Sequence, residues 1–247
     1  MSGELRVIPL RGIREVEEAD DLGALVVEAA AGAAGLERGD IIVVAQKAVS
    51  KVEGRVLRLD QIEPSERARE LAADEDPRRF EVILQESRRI VRARPPLVIA
   101  ETRHGFVCAS AGVDQSNAKG ADTVVLLPLD PDASARGLRD RIRELSGEDV
   151  GVIVSDSFGR PFRRGTTDVA LGVSGITPLL DLKGKRDPAG YELRTTEIAV
   201  ADEIAGAAEL VMGKTEGVPA AIVRGLDAKG DGSGRDLLMP GERDLFR

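Results

Sequence analysis

Three short runs of unbroken apolar residues stand out along the chain: Ile41–Val44, Val150–Val154 and Pro219–Val223. Each is too short for a helix of ordinary length, and polar or turn-forming residues lie close on either side, so each reads as a buried strand. Further strands are expected at Arg6–Leu10, closing at Pro9, and at Thr123–Leu127. Leu97–Ala100 and Phe106–Ala111 are expected to pair across the turn Arg103-His104-Gly105. After Val44 the apolar pattern runs out at Gln46-Lys47 and continues as Val49-Ser50-Lys51. Helical patterning covers Leu22–Ala34, with Asp20 or Asp21 as cap, and Pro64-Ser65 opens a helix through about Ala73. Asp76-Pro77 opens another, whose apolar positions Phe80, Ile83, Leu84 and Ile90 predict helix through about Val91. Ser134–Leu145 is amphipathic, and Thr196–Met212 is a long Ala-rich helix. Residues 165–194 look irregular, and the tail from Gly230 looks mobile until it docks. Strands and helices alternate without a strict βαβ rhythm, which predicts a mixed α and β fold with more than one sheet.

Composition narrows the chemistry. With 42% apolar and 32% charged residues, the 247-residue chain has the makeup of a folded globular protein. Aromatic residues reach only 2% and the net charge is −8, which argues against binding long nucleic acid. Cys108 and His104 are the only residues of their types. No intrachain disulfide and no Cys/His zinc site is possible, and a nucleophilic triad would have to run through His104, which reads more simply as a surface-loop histidine. Any metal would take oxygen ligands, as Mg2+ or Mn2+ do. The chain lacks a signal peptide and an apolar run of membrane-spanning length, so a cytoplasmic protein is expected.

Four stretches carry candidate chemistry. Ala208–Thr215 approaches a phosphate-binding P-loop, but Ala208 replaces the first glycine and a helix precedes the motif where a strand is required, so the stretch reads as the end of a helix. In Ala111–Asn117, Asp114 and the chain's single asparagine, Asn117, follow a strand around Gly112. A metal-binding turn and a plain Asx turn are both open. In Ser155–Gly165, Asp156 and Ser157 end a strand and Arg160, Arg163 and Arg164 follow. A solvated loop of surface ion pairs is the plainer reading. Were Asp114 and Asp156 to converge, their mutual repulsion would raise one pKa, and a divalent cation would relieve it and seat a polyphosphate. Gln46, Lys47 and Lys51 end the second buried strand. They suit phosphate contacts as well as an ordinary surface.

The stretches VVAQKAVSKVEGR (43–55), AGVDQSNAKG (111–120), LLPLDPDASA (126–135), GVIVSDSFGRPFRRG (151–165) and ADEIAGAAELVMGKTEGVPAAIVRG (201–225) together resemble the coenzyme F420-0:L-glutamate ligases. The likeness runs from about Val7 to Gly225. It implies an α+β, mixed-sheet, two-lobed fold in an intertwined homodimer, neither Rossmann nor P-loop nor ATP-grasp. The whole chain, 1–247, would form a single ligase domain, without the C-terminal flavin-dependent reductase domain that some relatives carry. The resemblance further implies GTP as co-substrate and two Mg2+ or Mn2+ ions, with K+ as a further candidate. F420-0 and L-glutamate would be the substrates, with no nucleic-acid or membrane partner. Carried over residue by residue, Asp114 and Asp156 match metal-binding aspartates and Ser157 a hydroxyl ligand of a second metal. Gln46, Lys47, Lys51 and Asn117 match nucleotide contacts, as do Ile13, Arg14, Glu15 and Val16. The loop Met212, Gly213, Lys214, Thr215, Glu216, Gly217 and Val218 resembles the nucleotide-binding loop. Lys214 departs from the pattern, because relatives can place an acidic metal ligand there.

The chemistry so implied is phosphoryl transfer from GTP to a carboxylate, then attack by the glutamate amine. It needs no protein nucleophile. Arg163 or Arg164 is the expected clamp on the acyl phosphate or on an acidic substrate. A metal-dependent phosphohydrolase at the same residues and a GTP-sensing module without turnover are the competing readings.

Overall fold

Each of the three apolar runs becomes an interior strand because helices cover both of its faces. In this computed structural model, residues 3–116, 120 and 122–245 are described. In chain order the elements are β1 (Arg6–Pro9), α1 (Leu22–Ala33), β2 (Ile41–Ala45), α2 (Gln46–Val52), β3 (Val56–Arg58), α3 (Glu66–Ala72), α4 (Pro77–Glu86), β4 (Ser87–Arg94), β5 (Leu97–Thr102), β6 (Val107–Ala109), β7 (Thr123–Val125), α5 (Pro131–Ser146), β8 (Gly151–Gly159), β9 (Thr166–Ser174), β10 (Leu180–Asp181), β11 (Glu197–Ile198), α6 (Val200–Met212) and β12 (Ala220–Arg224).

The main sheet has five strands in the order β1-β12-β2-β8-β9. Only β2 and β8 run parallel; the other pairings are antiparallel. Side chains alternate across it. Ile42, Val44, Val152, Val154 and Ile222 pack with Val26 of α1 and with Leu138 and Ile142 of α5. Ile41, Val43, Ile153, Val173 and Val223 face the other way, onto Ile204, Ala208 and Met212 of α6. Residues between α2 and α5 build a further core around Leu59, Leu71, Phe80, Ile83, Val98 and Val124. Two small sheets flank it, β4-β5-β6 and β3-β7, so the expected multiplicity of sheets is present. The β5–β6 pairing joins Ile99 to Ala109 and Glu101 to Val107, across the expected turn.

Four stretches depart from the sequence expectations. Val49–Lys51 lies within helix α2 and does not continue the strand. Helix α4 stops at Glu86, because Ser87 caps its end with its hydroxyl on the Ile83 carbonyl. Ile90 and Val91 then belong to β4, whose Arg88 and Arg89 reach the buried Glu101 across the sheet at 3.1 and 2.8 Å. Residues 166–174, expected to be irregular, form the long edge strand β9. Gly172 fits there because a β-carbon would meet the Pro131 backbone at 2.1 Å. The tail packs where mobility was expected: Ser233 Oγ donates to Asp132 at 2.6 Å and the Gly234 N–H donates to the same carboxylate at 2.8 Å. Among the described residues no helix is long and apolar enough to cross a membrane.

Candidate functional site: a cavity at the ends of β2 and β8

The parallel pairing of β2 with β8 ends at Ala45 and Ser155, and a cavity of about 550 Å3 opens there. Its walls come from segment 13–16, the β2–α2 junction, the end of β8, Asp168 on β9, and the C-terminal end of α6 with the loop after it. Crevices beyond the carboxyl ends of strands are where open α/β sheets bind ligands.

Segment 13–16 contributes all four of its residues. Ile13 and Val16 are anchored in the core, which leaves Arg14 and Glu15 at the rim. Arg14 is held by Asp20 through paired contacts at 2.6 and 2.7 Å, and this guanidinium depresses the Asp20 carboxyl to about 2. Lys51 of α2 is ion-paired with Glu15. Gln46 lines the cavity yet is almost fully buried, at 2% exposure, and its amide donates to Ser50 Oγ and the Leu126 carbonyl at 2.8 and 2.9 Å. That amide fastens α2 to the segment after β7.

Lys47 links the cavity to the turn that holds Asp114. Its ammonium lies 2.6 Å from Asp114 Oδ2. Burial alone would raise the Asp114 pKa, but Lys47 and the N–H and hydroxyl of Ser116 outweigh it and hold the carboxyl below its ordinary value. Asp156 behaves in the opposite way. Burial pushes its carboxyl up to about 6, the charges of Asp168 and Asp114 adding to the effect, against the Ser157 N–H and Lys47. Asp114 and Asp156, 42 positions apart in the sequence, therefore feel each other's charge and share Lys47.

The pleat of β8 separates Asp156 from its neighbours. The β8–β9 ladder shifts register between Val154 and Ser155, after which Ser155 pairs with Ala170 and Ser157 with Asp168. Directly opposed residues share a face. Ser155, Ser157 and Asp168 thus stand on the α6 side and Asp156 on the other. Asp168, only 6% exposed, accepts hydrogen bonds from Ser155 Oγ at 2.9 Å and Ser157 Oγ at 2.5 Å. Its N–H donates to Glu209 of α6 at 3.2 Å. Lys214 Nζ donates to Ser157 Oγ at 2.5 Å.

The loop after α6 ends a helix rather than opening one. Gly213 caps α6, its N–H donating to the Glu209 carbonyl at 2.9 Å. Met212, Gly213, Lys214, Thr215, Gly217 and Val218 line the cavity; Glu216 does not.

Arg163 and Arg164 are exposed on the turn between β8 and β9, outside the cavity wall. The Arg163 N–H and the Arg164 carbonyl are used within that turn. Asn117 lies outside the described residues. Asp168 and Glu209, which line the cavity, were missed by the sequence reasoning. Asp168 sat in a stretch taken as irregular, and Thr-Asp-Val-Ala-Leu shows no polar–apolar alternation that would mark a strand. Glu209 was hidden in the P-loop-like stretch and faces the cavity one turn before the helix ends.

The chain's histidine and cysteine stay clear of the cavity wall. His104 Nε2 lies 2.9 Å from the Pro128 carbonyl, in a half-buried position rather than on an open loop. Burial, with the nearby Asp156 charge, pushes the Cys108 thiol up to about 12, so it is not a thiolate near neutrality.

A divalent cation fits Asp114 and Asp156. Both are oxygen ligands, and Asp156 ionises only at a cost that a cation would remove. Among the described residues no group of three or more His, Cys, Asp or Glu is arranged to hold a metal ion. A second cation at Ser157 fits poorly, because Lys214 already contacts that hydroxyl.

An α+β fold with carboxylates, lysines and a helix-ending loop around one cavity marks a candidate ligand site. The family described as F420-0:Gamma-glutamyl ligase matches residues 12–225. Relatives named coenzyme F420:L-glutamate ligase include the Methanocaldococcus jannaschii protein, 51% identical over 86% of both chains. The Methanopyrus kandleri protein is 49% identical over 98% of both. That of Archaeoglobus fulgidus is 42% identical over 98% of this chain and 96% of its own. The chain belongs to the F420-0:Gamma-glutamyl ligase family.

Proposed function

We propose that the protein joins L-glutamate to coenzyme F420-0 at this cavity, using GTP, in the biosynthesis of coenzyme F420. The γ-phosphoryl group of GTP passes to the terminal carboxylate of F420-0, giving an acyl phosphate and GDP. The glutamate amine then attacks the acyl carbon, phosphate leaves with the C–O bonding pair, and the amine loses a proton as the amide forms. Further γ-linked glutamates, a homodimeric state and a cytoplasmic location belong to the same proposal.

One observation carries this reading: a chain of this family has its coupled carboxylates, Asp114 and Asp156, beside a cavity lined by Lys47, Lys51 and Lys214. Asp114 and Asp156 would hold a Mg2+ or Mn2+ ion, which when bound neutralises phosphate charge and orients the γ-phosphoryl group. Lys51 and Lys47 would exchange their carboxylate partners for phosphate oxygens. Segment 13–16 and the loop 212–218 would enclose the nucleotide. Neither step calls for a nucleophilic side chain, in keeping with a cavity that His104 and Cys108 do not line. Arg163 and Arg164 are left out of this machinery.

Mass spectrometry of F420-0 incubated with GTP, Mn2+ and L-glutamate tests the proposal. The expected product carries one or more added glutamyl residues. Phosphate release that ignores both glutamate and F420-0, with no change in F420-0 mass, would instead mark a phosphohydrolase. Tight GTP binding with no product at all would mark a sensor.

A further inference from the structure

We propose that Lys214 takes the place of a second metal ion, so that the chain binds one divalent cation, not two, with the nucleotide's triphosphate. The inference rests on the nucleotide reading above. The hydroxyl a second ion would use is Ser157 Oγ, and it is engaged on two sides: it donates to Asp168 Oδ1 at 2.5 Å and accepts from Lys214 Nζ at 2.5 Å. The other oxygen of Asp168 is taken by Ser155 Oγ at 2.9 Å.

A hydroxyl has one hydrogen and two acceptor positions. A dication on the remaining position of Ser157 would sit within a few ångströms of the ammonium, and like charges that close repel strongly in a partly enclosed cavity. Glu209, the other acid on this side, has one oxygen on the Asp168 N–H.

The ammonium suits the task. It has three donors, one of which serves Ser157, and Lys214 lines the cavity. A lysine is a compact point charge that meets phosphate oxygens without the ligand geometry a metal requires. The two faces of β8 thus divide the labour. Asp156 and Asp114 would hold a metal on one side, and Ser157 with Asp168 aims a lysine on the other. Lys214 acts here as a phosphate-binding group.

The test counts Mn2+ ions bound per chain, by electron paramagnetic resonance and equilibrium dialysis, on the full chain saturated with an imido-bridged, non-hydrolysable GTP analogue. One ion in the wild type and two in Lys214→Glu are expected. Two ions in the wild type would overturn this inference and leave the nucleotide reading standing. No bound ion would overturn both. A Lys214→Glu chain that melts like the wild type yet still binds one ion would also overturn the inference. Lys214→Gln guards against a folding defect in the charge reversal. It should keep one ion and bind the analogue about tenfold more weakly, the loss of one charge-assisted hydrogen bond. Unchanged affinity would count against the proposal.

Discussion

Asp156 and Ser157 are neighbours in the chain, yet they stand on opposite faces of β8 and meet different company. On one face, Asp156 and Asp114 feel each other's charge and share the single ammonium of Lys47. On the other, Asp168 is satisfied by two hydroxyls, and Lys214 completes the chain of contacts. Each arrangement has one lysine, but only the second supplies its central carboxylate with two side-chain hydroxyl donors. The difference teaches that an acidic site is defined less by how many carboxylates it holds than by what already answers them. Burial raises Asp156 because nothing fully compensates it. Asp168, also enclosed, accepts a hydroxyl hydrogen bond on each of its two oxygens.

Removing the unanswered carboxylate should have the largest effect. In Asp156→Ala, metal-dependent glutamylation should fall by about 10^3-fold or more, the several kcal/mol a catalytic cation supplies. Circular dichroism should show an unchanged fold. Retained activity would remove the metal role.

A stability measurement sharpens the same contrast. The Asp156 pKa is raised from 3.8 to about 6 in the folded protein. The folded state therefore holds this proton more tightly than the unfolded state does. The resulting stabilisation is complete below the unfolded pKa and is lost as pH rises through the folded value. Between about pH 4 and pH 7, without divalent cation, the wild type should lose on the order of 2–3 kcal/mol relative to Asp156→Asn. Denaturant titrations at both pH values check this. Parallel curves for the two proteins would show that the carboxyl is not perturbed.

Lys51 comes next. Lys51→Ala should weaken GTP binding about tenfold, the cost of one charge-assisted contact, and change F420-0 binding much less. Calorimetry with each ligand gives the ranking, and the reverse order would place Lys51 elsewhere in the site. The smallest effect is expected at Cys108. Its thiol is held un-ionised, so Cys108→Ala should leave the rate within about twofold and cost about 1 kcal/mol of stability for the buried atom removed. A large rate loss would point to a thiolate role that the geometry gives no support.

Much of the main sheet was legible in the sequence, because strands covered on both faces need apolar residues at every position. Ile41–Val44, Val150–Val154 and Pro219–Val223 met that demand. β9 was not legible. It is an edge strand carrying a glycine for close packing and an aspartate for the site, so its apolar signal is diluted. β4 was read as helix because Phe80, Ile83 and Leu84 set a helical period, and only the capping role of Ser87 ends it. Asp114, Asp156 and the flanking lysines could be found because polar residues follow short apolar runs there, although Asp156 and Ser157, expected to end their strand, lie inside β8, which continues to Gly159. Asp168 could not, since its place depends on a register shift in the β8–β9 ladder that no local pattern encodes. The exposed position of Arg163 and Arg164 likewise follows from the length of β8, which runs on to Gly159 and carries the arginines past the cavity.

The proposed chemistry makes a carboxylate oxygen of F420-0 leave with phosphate. The most direct test is turnover with F420-0 labelled with oxygen-18 in its terminal carboxylate, in ordinary water, with GTP, Mn2+ and L-glutamate. One labelled oxygen should appear in each phosphate released as the amide forms. Glutamylated product accompanied by unlabelled phosphate would contradict an acyl phosphate, and unlabelled phosphate without glutamylated product would contradict ligation itself.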